Sequence, residues 1–278
     1  MERGNMDTNL FLNPAEISSA ISDIGTKKAN AGLFELFIFG VLAGIYIAFG
    51  GNVATAVLSG GTLDAGFARF LAGSVFSVGL MLVLIPGSEL FTGNILMAVG
   101  FIYRKYSLVK VLRNWLVVYA GNLVGAIVIS WLVFRSGQLI AAGTVTPIGT
   151  VAVAIGETKM RLGFTEALCR GILCNMLVCL AVIMCIASKT ITGKILGIYF
   201  PIMTFVASGF EHSVANMYFL PVALMTKGEF IPRFFAMFNN LIPVTLGNII
   251  GGLLIVVLHP KAQHRIARLL FQQGGKNG

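Results

Sequence analysis

Long apolar stretches that contain almost no charged residue recur along this sequence, and they constrain its fold more than any other feature. Residues 36–63, for example, contain no Asp, Glu, Lys or Arg. A helix crosses a bilayer with roughly 20 apolar residues, whereas a transmembrane β-barrel alternates apolar and polar residues in strands of about 10. Since 56% of the 278 residues are hydrophobic and only 11% are charged, the sequence predicts an all-α polytopic membrane protein.

Six transmembrane spans are predicted, and two of them are too long for one straight crossing. The predicted spans cover residues 31–58, 67–102, 109–134, 161–187, 195–226 and 234–258. Pro86-Gly87 interrupts the second span and Ser208-Gly209 the fifth, because proline cannot donate a backbone hydrogen bond and glycine tolerates unwound backbone. Non-helical backbone at membrane depth persists only where protein or a water-filled cavity covers it. Spans 2 and 5 are therefore predicted to be broken helices.

Three short motifs occur twice, in the same order and at similar offsets, which indicates an internal repeat. The pairs are residues 32–35 with 163–166, 89–94 with 211–216, and 121–125 with 247–251, at offsets of 131, 122 and 126. Each half, 31–134 and 161–258, then contains three spans. An odd number of spans puts the halves in opposite orientations, as in transporters with inverted repeats. The alternative is chance similarity between glycine-rich apolar helices.

The charged residues are concentrated between the spans and at the two ends. If both ends are cytoplasmic, that side carries 13 Lys and Arg and the other side carries 7, and an excess of positive charge marks the cytoplasmic side. We expect residues 1–30 to form a cytoplasmic amphipathic segment capped at Asn13, residues 31–258 the transmembrane domain, and residues 259–278 a basic cytoplasmic tail. This topology explains the net charge of +9 better than a nucleic-acid partner does.

The most unusual polar feature is Glu211-His212, which stands in the middle of the fifth span. An ionisable group at bilayer depth is costly and by default indicates a functional site that faces a pathway or a partner. The structural alternative is a Glu-His hydrogen bond inside a helical bundle, but a purely structural bundle leaves the two interrupted helices unexplained.

No pattern typical of an enzyme, a cofactor or a metal centre is found. The four cysteines lie in one span with separations of 5, 5 and 6 residues, so they do not share a helix face and are predicted to be packing residues. A membrane enzyme using Glu211, His212 and Glu89 is an alternative, but the sequence contains no nucleophile triad, nucleotide loop or metal-ligand cluster to support it.

Four motifs resemble those of the formate/nitrite transporter family. They are Ala207-Ser-Gly-Phe-Glu-His-Ser-Val-Ala-Asn-Met217, Gly87-Ser-Glu-Leu-Phe-Thr-Gly-Asn94, Asn175-Met-Leu-Val-Cys-Leu-Ala181 and Asn240-Leu-Ile-Pro-Val-Thr-Leu-Gly-Asn248. The resemblance covers essentially the whole membrane region. It implies a homopentamer of aquaporin-like protomers, each with its own pore for small monovalent anions such as formate, nitrite or hydrosulfide. We expect a multi-pass protein of a prokaryotic cytoplasmic (inner) membrane.

The resemblance also implies roles for individual residues. His212 is the histidine in the middle of the pore, Thr92 is the hydroxyl opposite it, and Lys159 is a positive charge near the pore in the loop before span 4. Asn175 and Asn248 line polar vestibules. The two apolar constrictions are formed by Leu80, Leu90, Phe91, Phe76 and Phe205. The residues after the loop threonine, Gly93-Asn94, depart from the formate members, which leaves the preferred anion open.

These residue types suit the passage of an anion, most simply formate, through a narrow apolar slit. The hypothesis is that Lys159 and the positive ends of the half-helices concentrate the anion, and that a proton supplied through His212 or water neutralises it while Thr92 holds it. Glu211 either orients the imidazole or bonds the backbone of the broken helix. The expected partners are the anion, protons and membrane lipid, with no cofactor, metal or nucleic acid. The alternatives are a nitrite or hydrosulfide channel, or an aquaporin-like neutral-solute pore, which is disfavoured because neither interruption contains an Asn-Pro-Ala box.

Overall fold

The computed structural model describes residues 9–61 and 63–258, and this part of the chain is mostly helical. The first eight residues and the predicted basic tail, 259–278, lie outside the described residues. The α-helices are α1 (Pro14–Asn30), α2 (Leu33–Leu58), α3 (Ala65–Phe76), α4 (Val78–Leu84), α5 (Phe91–Asn94), α6 (Ala98–Ile102), α7 (Leu108–Arg135), α8 (Pro147–Met160), α9 (Phe164–Ala187), α10 (Ile191–Ala207), α11 (Ser213–Thr226), α12 (Phe230–Arg233) and α13 (Phe238–Leu258). Short 3-10 turns at Ile95–Met97 and Phe234–Met237 continue two of these helices.

Within the described residues, five helical stretches are long and apolar enough to cross a membrane. They are Leu33–Leu58, Ala65–Leu84, Leu108–Arg135, Phe164–Ala187 and Phe230–Val257. Three shorter apolar stretches, Phe91–Ile102, Ile191–Ala207 and Ser213–Thr226, account for the rest of the predicted spans 2 and 5. The chain is therefore a multi-pass membrane protein.

Glycines allow two pairs of long helices to pack with their backbones in contact. In the α2–α7 pair, a Cβ added to Gly121 would lie 2.6 Å from the carbonyl oxygen of Phe37. In the α9–α13 pair, a Cβ on Gly171 would lie 2.7 Å from the carbonyl oxygen of Val244. Real Cβ atoms do not approach backbone this closely, and small residues of this kind are typical of helix interfaces in membranes. The two pairs are also the most extensive helix contacts among the described residues.

The segment between the two halves was predicted to be a loop, and that prediction was wrong. A two-stranded antiparallel hairpin, β1 (Ile140–Ala141) and β2 (Thr144–Val145), leads into helix α8. Thr146 caps α8, because its hydroxyl accepts a hydrogen bond from Gly149 N, and Pro147 occupies the first helical position. Helix α8 was not predicted because it is only weakly amphipathic and lies outside the apolar spans.

Helix α8 packs along α11 and is fastened to its carboxyl end. Gly156 lies against Ala223, and Lys227 Nζ contacts Glu157 Oε1 at 2.7 Å. The hydrogen bond and the positive charge of Lys227 lower the pKa of Glu157 below its ordinary value. The position of α8 matters for the site described below because Lys159 stands in its last turn.

Helix α1 begins with the predicted cap. Asn13 Oδ1 accepts hydrogen bonds from Ala15 N and Glu16 N, and the Glu16 carboxylate accepts one from Asn13 N at 2.7 Å. At the other end of α1, Arg113 of α7 donates to the carbonyl oxygens of Ala29 and Ala31. Helix α1 is thereby held against the helical bundle.

We predict that Gly125→Ala and Gly251→Ala each destabilise the protein by about 1–3 kcal/mol, because the new methyl groups would enter the backbone of α2 and α9 respectively. The measurement is the thermal unfolding midpoint in detergent. Gly163→Ser is the matched control, since its Cβ meets nothing within 4 Å and serine is a good cap at this N-cap position. Equal midpoints for all three variants would contradict the close packing.

Candidate functional site

Two irregular segments, residues 85–90 and 208–212, separate α4 from α5 and α10 from α11. Each contains a glycine with positive φ, +92° at Gly87 and +72° at Gly209, a conformation that other residues rarely adopt. Helices α5 and α11 follow these segments, one after each, and contact each other. The glycine ends of the two segments are exposed, whereas their last residues, Leu90, Glu211 and His212, are buried. The backbone groups at these buried ends need partners inside the protein.

Asn122 of α7 supplies the partners for the first segment. Asn122 Oδ1 accepts a hydrogen bond from Phe91 N at 3.0 Å. Its Nδ2 donates to the carbonyl oxygens of Gly40 at 2.8 Å and Glu89 at 3.0 Å. One fully buried amide thus fixes the end of the irregular segment to two helices.

Asn248 of α13 makes the corresponding three bonds in the second half. Asn248 Oδ1 accepts from Ser213 N at 2.9 Å. Its Nδ2 donates to the carbonyl oxygens of Gly171 at 2.8 Å and Glu211 at 3.0 Å. Asn248 was predicted to line a polar vestibule, but the structure places it fully buried as a scaffold for the backbone.

A charged network surrounds the first segment. Lys28 Nζ lies 3.0 Å from Glu89 Oε1 and 2.7 Å from Asn94 Oδ1. Asn94 Nδ2 donates to Glu89 Oε2 at 2.6 Å and to Asn114 Oδ1 at 2.8 Å. The Glu89 carboxylate is therefore balanced by a lysine and held by an amide.

The same arrangement occurs at the second segment. Lys159 Nζ lies 2.8 Å from Glu211 Oε1, and its ammonium group also stands 5.3 Å from the centre of the Phe219 ring. Asn216 Nδ2 donates to Glu211 Oε2 at 2.6 Å and to Asn240 Oδ1 at 2.7 Å. Lys159 was predicted in a loop, but it belongs to α8 and its side chain is only 14% exposed. Glu211 bonds the lysine and the amide rather than the neighbouring imidazole.

His212 contacts the opposite half of the protein through Thr92. His212 Nε2 and Thr92 Oγ1 are 2.9 Å apart, and both residues are buried. The other ring nitrogen, Nδ1, accepts a hydrogen bond from Ala215 N at 3.1 Å. Since Nδ1 accepts, the single proton of the neutral ring belongs on Nε2, which then donates to Thr92 Oγ1. The alternative of a Glu211–His212 bond is therefore wrong.

Asn175 of α9 holds the backbone of Thr92. Its Nδ2 donates to the carbonyl oxygen of Thr92 at 3.2 Å and to that of Asn248 at 2.7 Å. Asn175 is fully buried, and it does not lie on the wall of either cavity described next. Asn175 was predicted to line a polar vestibule, but like Asn248 it is buried and bonded to backbone carbonyl oxygens.

Two cavities lie next to the irregular segments, and the lining of the second includes His212, while that of the first includes Gly93, the neighbour of Thr92. The first, about 510 Å³ in volume, lies between α1 and the first irregular segment and is lined by Lys28, Glu89 and Leu90 among others. The second, about 640 Å³, is lined by Lys159 and His212 among others. In the described part of the chain the two cavities share no lining residue. The family resemblance implies one pore with His212 in its middle, whereas the structure has two separate cavities.

The residues predicted to form the constrictions are all buried, but they have different surroundings. Phe205 stacks on His212 with ring centres 5.8 Å apart and meets Phe76 edge-on at 5.7 Å, and these two phenylalanines line the second cavity. Leu90 lines the first cavity. Leu80 and Phe91 line neither, and Phe91 packs edge-on against Tyr119 with ring centres 4.9 Å apart.

Several residues of these networks were missed by the sequence analysis. Lys28 and Asn114 were not predicted to be site residues. Asn114 and Asn240 are separated by 126 residues, which is the offset of the third repeated motif. That offset could have identified Asn114. Lys28 and Lys159 are separated by 131 residues, the offset of the first motif, which could have paired the two lysines.

Apolar helices of membrane length, packed around two cavities that approach one buried polar pair, define a polytopic membrane transport protein. The chain belongs to the formate/nitrite transporter family, whose model matches residues 15–261. The named relatives of this family are channels and transporters rather than enzymes.

Known relatives resemble the chain over most of its length. A probable formate transporter of Methanothermobacter thermautotrophicus is 44% identical over 262 residues, which cover 88% of this chain and 94% of that protein. The formate channel FocA of Haemophilus influenzae is 37% identical, with 90% and 93% covered. A solved structure described as a pentameric formate channel with formate bound is 36% identical, with a TM-score of 0.71 over 87% of this chain and 99% of that chain.

We predict that Asn248→Leu is strongly destabilising, because it removes the side-chain partner of Ser213 N and of the non-helical Glu211 carbonyl oxygen in a buried region, at a cost of about 1–3 kcal/mol for each group. The measurement is the thermal unfolding midpoint in detergent. Thr245→Val on the same helix is the control, since it removes a single bond to the Tyr119 hydroxyl. A larger loss in the Thr245 variant would contradict the scaffold role.

Proposed function

We propose that the protein passes small monovalent anions, and formate first, across the membrane between the two cavities and past the His212–Thr92 pair. The observation that carries this proposal is the 2.9 Å contact of His212 Nε2 with Thr92 Oγ1, a buried donor and hydroxyl that separate two cavities with charged mouths. The formate transporters and channels that the chain resembles support formate as the substrate. Nitrite and hydrosulfide are the second candidates, since the family is also named for nitrite.

The architecture proposed for this pathway is an inverted repeat of three plus three membrane crossings, aquaporin-like in form, in which crossings 2 and 5 are broken. The matching of α2–α7 with α9–α13, and of Asn122 with Asn248, supports the repeat. The transmembrane domain is residues 31–258, with halves 31–134 and 161–258, flanked by a cytoplasmic amphipathic segment at 1–30 and a basic cytoplasmic tail at 259–278. The charge distribution supports this orientation in an inner membrane.

The assembly proposed for the chain is a homopentamer in which each protomer has its own pathway and lipid covers the outer surface. The similar structure of a pentameric formate channel supports this state. Exposed apolar side chains such as Phe34, Leu116 and Phe200, which are 79%, 72% and 54% exposed in the single chain, fit burial against lipid or a neighbouring protomer.

The apolar centre favours the neutral form of the substrate. Moving an unpaired charge into a medium of low dielectric costs on the order of 20 kcal/mol by an idealised estimate, and still several kcal/mol after relaxation. Protonating a carboxylate whose pKa is near 3.5 costs only about 5 kcal/mol at pH 7, at 1.36 kcal/mol for each pH unit. The substrate therefore crosses the centre as the acid, and Phe76, Phe205 and Leu90 exclude its hydration shell there.

The proton that neutralises the anion comes from water in the cavity. The neutral imidazole carries one proton, on Nε2, and full transfer of that proton would leave an anionic ring among apolar side chains. Further protonation at Nδ1 would break the bond to Ala215 N. His212 consequently acts as a hydrogen-bond donor to the substrate oxygen, and Thr92 completes the binding position.

Lys159 and Lys28 offer an ammonium group to an anion that has already entered the second or the first cavity. Each lysine is paired with a carboxylate, so an arriving anion competes with Glu211 or Glu89 for the ammonium group. The positive ends of α5 and α11 point towards the centre from the two sides.

We predict that flux of ¹⁴C-formate in proteoliposomes rises as the pH falls, because each unit removes about 1.36 kcal/mol from the cost of protonation. In His212→Asn, which keeps an amide N–H donor but does not titrate, this pH dependence persists with a rate within about tenfold of wild type. In His212→Phe and Thr92→Val the rate falls by more than tenfold, because a donor or a hydroxyl is lost from the binding position.

Loss of the pH dependence in His212→Asn would show that the ring itself relays the proton, contrary to the role assigned here. If nitrite or hydrosulfide competed as well as formate for flux through the wild-type protein, formate would no longer be the preferred substrate. The Thr245→Val variant is the control for reconstitution, because Thr245 lies outside the polar pair.

A further inference from the structure

The second cavity is lined by three cationic side chains, and only one of them is without a counter-charge in the described structure. Lys159 is paired with Glu211 at 2.8 Å. Arg170 is paired with Glu166, and it also donates to the carbonyl oxygen of Gly209 at 3.4 Å. The guanidinium group of Arg69 forms no hydrogen bond or ion pair with any residue in the described ranges 9–61 and 63–258. The excess positive charge of this cavity therefore resides on Arg69.

Arg69 begins a stripe of residues that leads from the mouth of the cavity to its apolar end. Arg69, Ala72 and Phe76 follow one another at spacings of three and four, so they share one face of α3, and all three line the cavity. The stripe ends at the edge-on contact between Phe76 and Phe205, and Phe205 stacks on His212. A solute that follows this face passes from the guanidinium group to the aromatic pair and then to the imidazole.

Arg69 lines the second cavity, whereas its neighbours on the other face of α3 do not. Phe67 and Phe70 stack with ring centres 6.2 Å apart, are 51% and 41% exposed, and do not line the cavity. Asp64, the nearest acid along the chain, is occupied in capping α3 through Gly66 N and Phe67 N. The helix thus directs an apolar face outward and its one unpaired cation towards the cavity.

We propose that Arg69 is the outer capture residue for the anion on the side of the second cavity. This inference rests on the proposed function and adds a residue and a step to it. The guanidinium group binds the hydrated anion at the mouth, where water is still present, and the anion then moves along α3 towards the Phe76–Phe205 pair. Since Lys159 is already neutralised by Glu211, Arg69 supplies the charge that an incoming anion meets first.

The expected size of the effect follows from electrostatics in water. At the mouth of the cavity, the effective dielectric constant lies between that of water and that of a protein surface. A unit charge within one Debye length of the anion then changes the local anion concentration by about two- to sixfold at low salt. Salt at about 0.5 M screens most of this attraction. Arg69→Gln should therefore raise the half-saturating formate concentration, leave the maximal rate nearly unchanged, and lose its effect at high ionic strength.

The chain offers a matched control for the charge change. Arg135 ends α7, lies on the same side of the membrane as Arg69 in the proposed topology, and lines neither cavity. The side chain of Arg135 also forms no hydrogen bond or ion pair among the residues that the structure describes. Arg135→Gln removes the same charge from the same side of the protein, so a difference between the two variants measures position rather than net charge.

The experiment measures uptake and efflux of ¹⁴C-formate in intact cells that lack other formate transporters, with sodium gluconate in the medium to set the external ionic strength. The variants are Arg69→Gln, Arg69→Lys and Arg135→Gln, compared with wild type at equal amounts of membrane protein. We expect a two- to sixfold rise in the half-saturating concentration for uptake in Arg69→Gln at low salt, no rise at high salt, recovery in Arg69→Lys, and no change in Arg135→Gln.

The outcomes separate the failure of this inference from that of the proposed function. Wild-type cells that take up no more formate than cells without the protein would end both. The role of Arg69 alone would be overturned if Arg69→Gln showed the same formate uptake and efflux as an active wild type. The same would follow if Arg69→Gln and Arg135→Gln lost equal uptake activity at low and at high salt. An effect on efflux instead of uptake would uphold Arg69 as a capture residue and reverse the proposed orientation.

Discussion

The structure depends on the need to hydrogen-bond irregular backbone in apolar surroundings. Two segments interrupt the helices at the centre of the protein, and each would be costly if its N–H and carbonyl groups had no partners. Asn122 and Asn248 provide those partners with three bonds each. The glycine contacts bring the asparagines within reach, because Gly44 lies against the backbone of Asn122 itself. Close helix packing and the interrupted helices are therefore two parts of one arrangement.

The two halves differ at the place where they meet. At the offset of 122 that relates the irregular segments, His212 corresponds to Leu90 and Thr92 corresponds to Val214. Each half thus contributes one polar side chain and one apolar side chain, in opposite order, and the two polar groups bond to each other. The charged networks beside the two segments contain matching residues, a lysine, a glutamate and two asparagines. The two segments therefore differ most at the His212–Thr92 pair.

Much of this arrangement could be predicted from the sequence, and the remainder has a physical explanation. Apolar length and the Pro86-Gly87 and Ser208-Gly209 signals located the interruptions, because backbone chemistry is local. The family resemblance led to the prediction that His212 and Thr92 face each other, and the two side chains are in contact although they are 120 positions apart. Sequence could not show whether an amide faces a cavity or a backbone, and the backbone hydrogen bonds of the buried Asn175 and Asn248 were therefore not predicted.

The largest error concerned Lys159. Its segment was read as a loop because it is neither long nor strongly apolar, yet Thr146 and Pro147 carry an ordinary helix-start signal. Helix α8 brings the lysine to Glu211 across 52 residues of sequence, a pairing that depends on tertiary packing alone. The Glu211-His212 dipeptide suggested a bond between neighbours, but extended backbone at position 212, with φ of −111°, directs the two side chains to different partners.

The two lysines of the charged networks come from different kinds of element. Lys159 is carried by α8, which lies between the halves, whereas Lys28 is carried by α1, which precedes the first long helix. Without α1 the chain would keep every apolar span, but the Glu89 carboxylate, whose side chain is 14% exposed, would lose its counter-ion. Helix α1 therefore supplies the counter-charge for Glu89, just as α8 supplies the counter-charge for Glu211. Each of the two networks is completed by a helix that lies outside the long membrane spans.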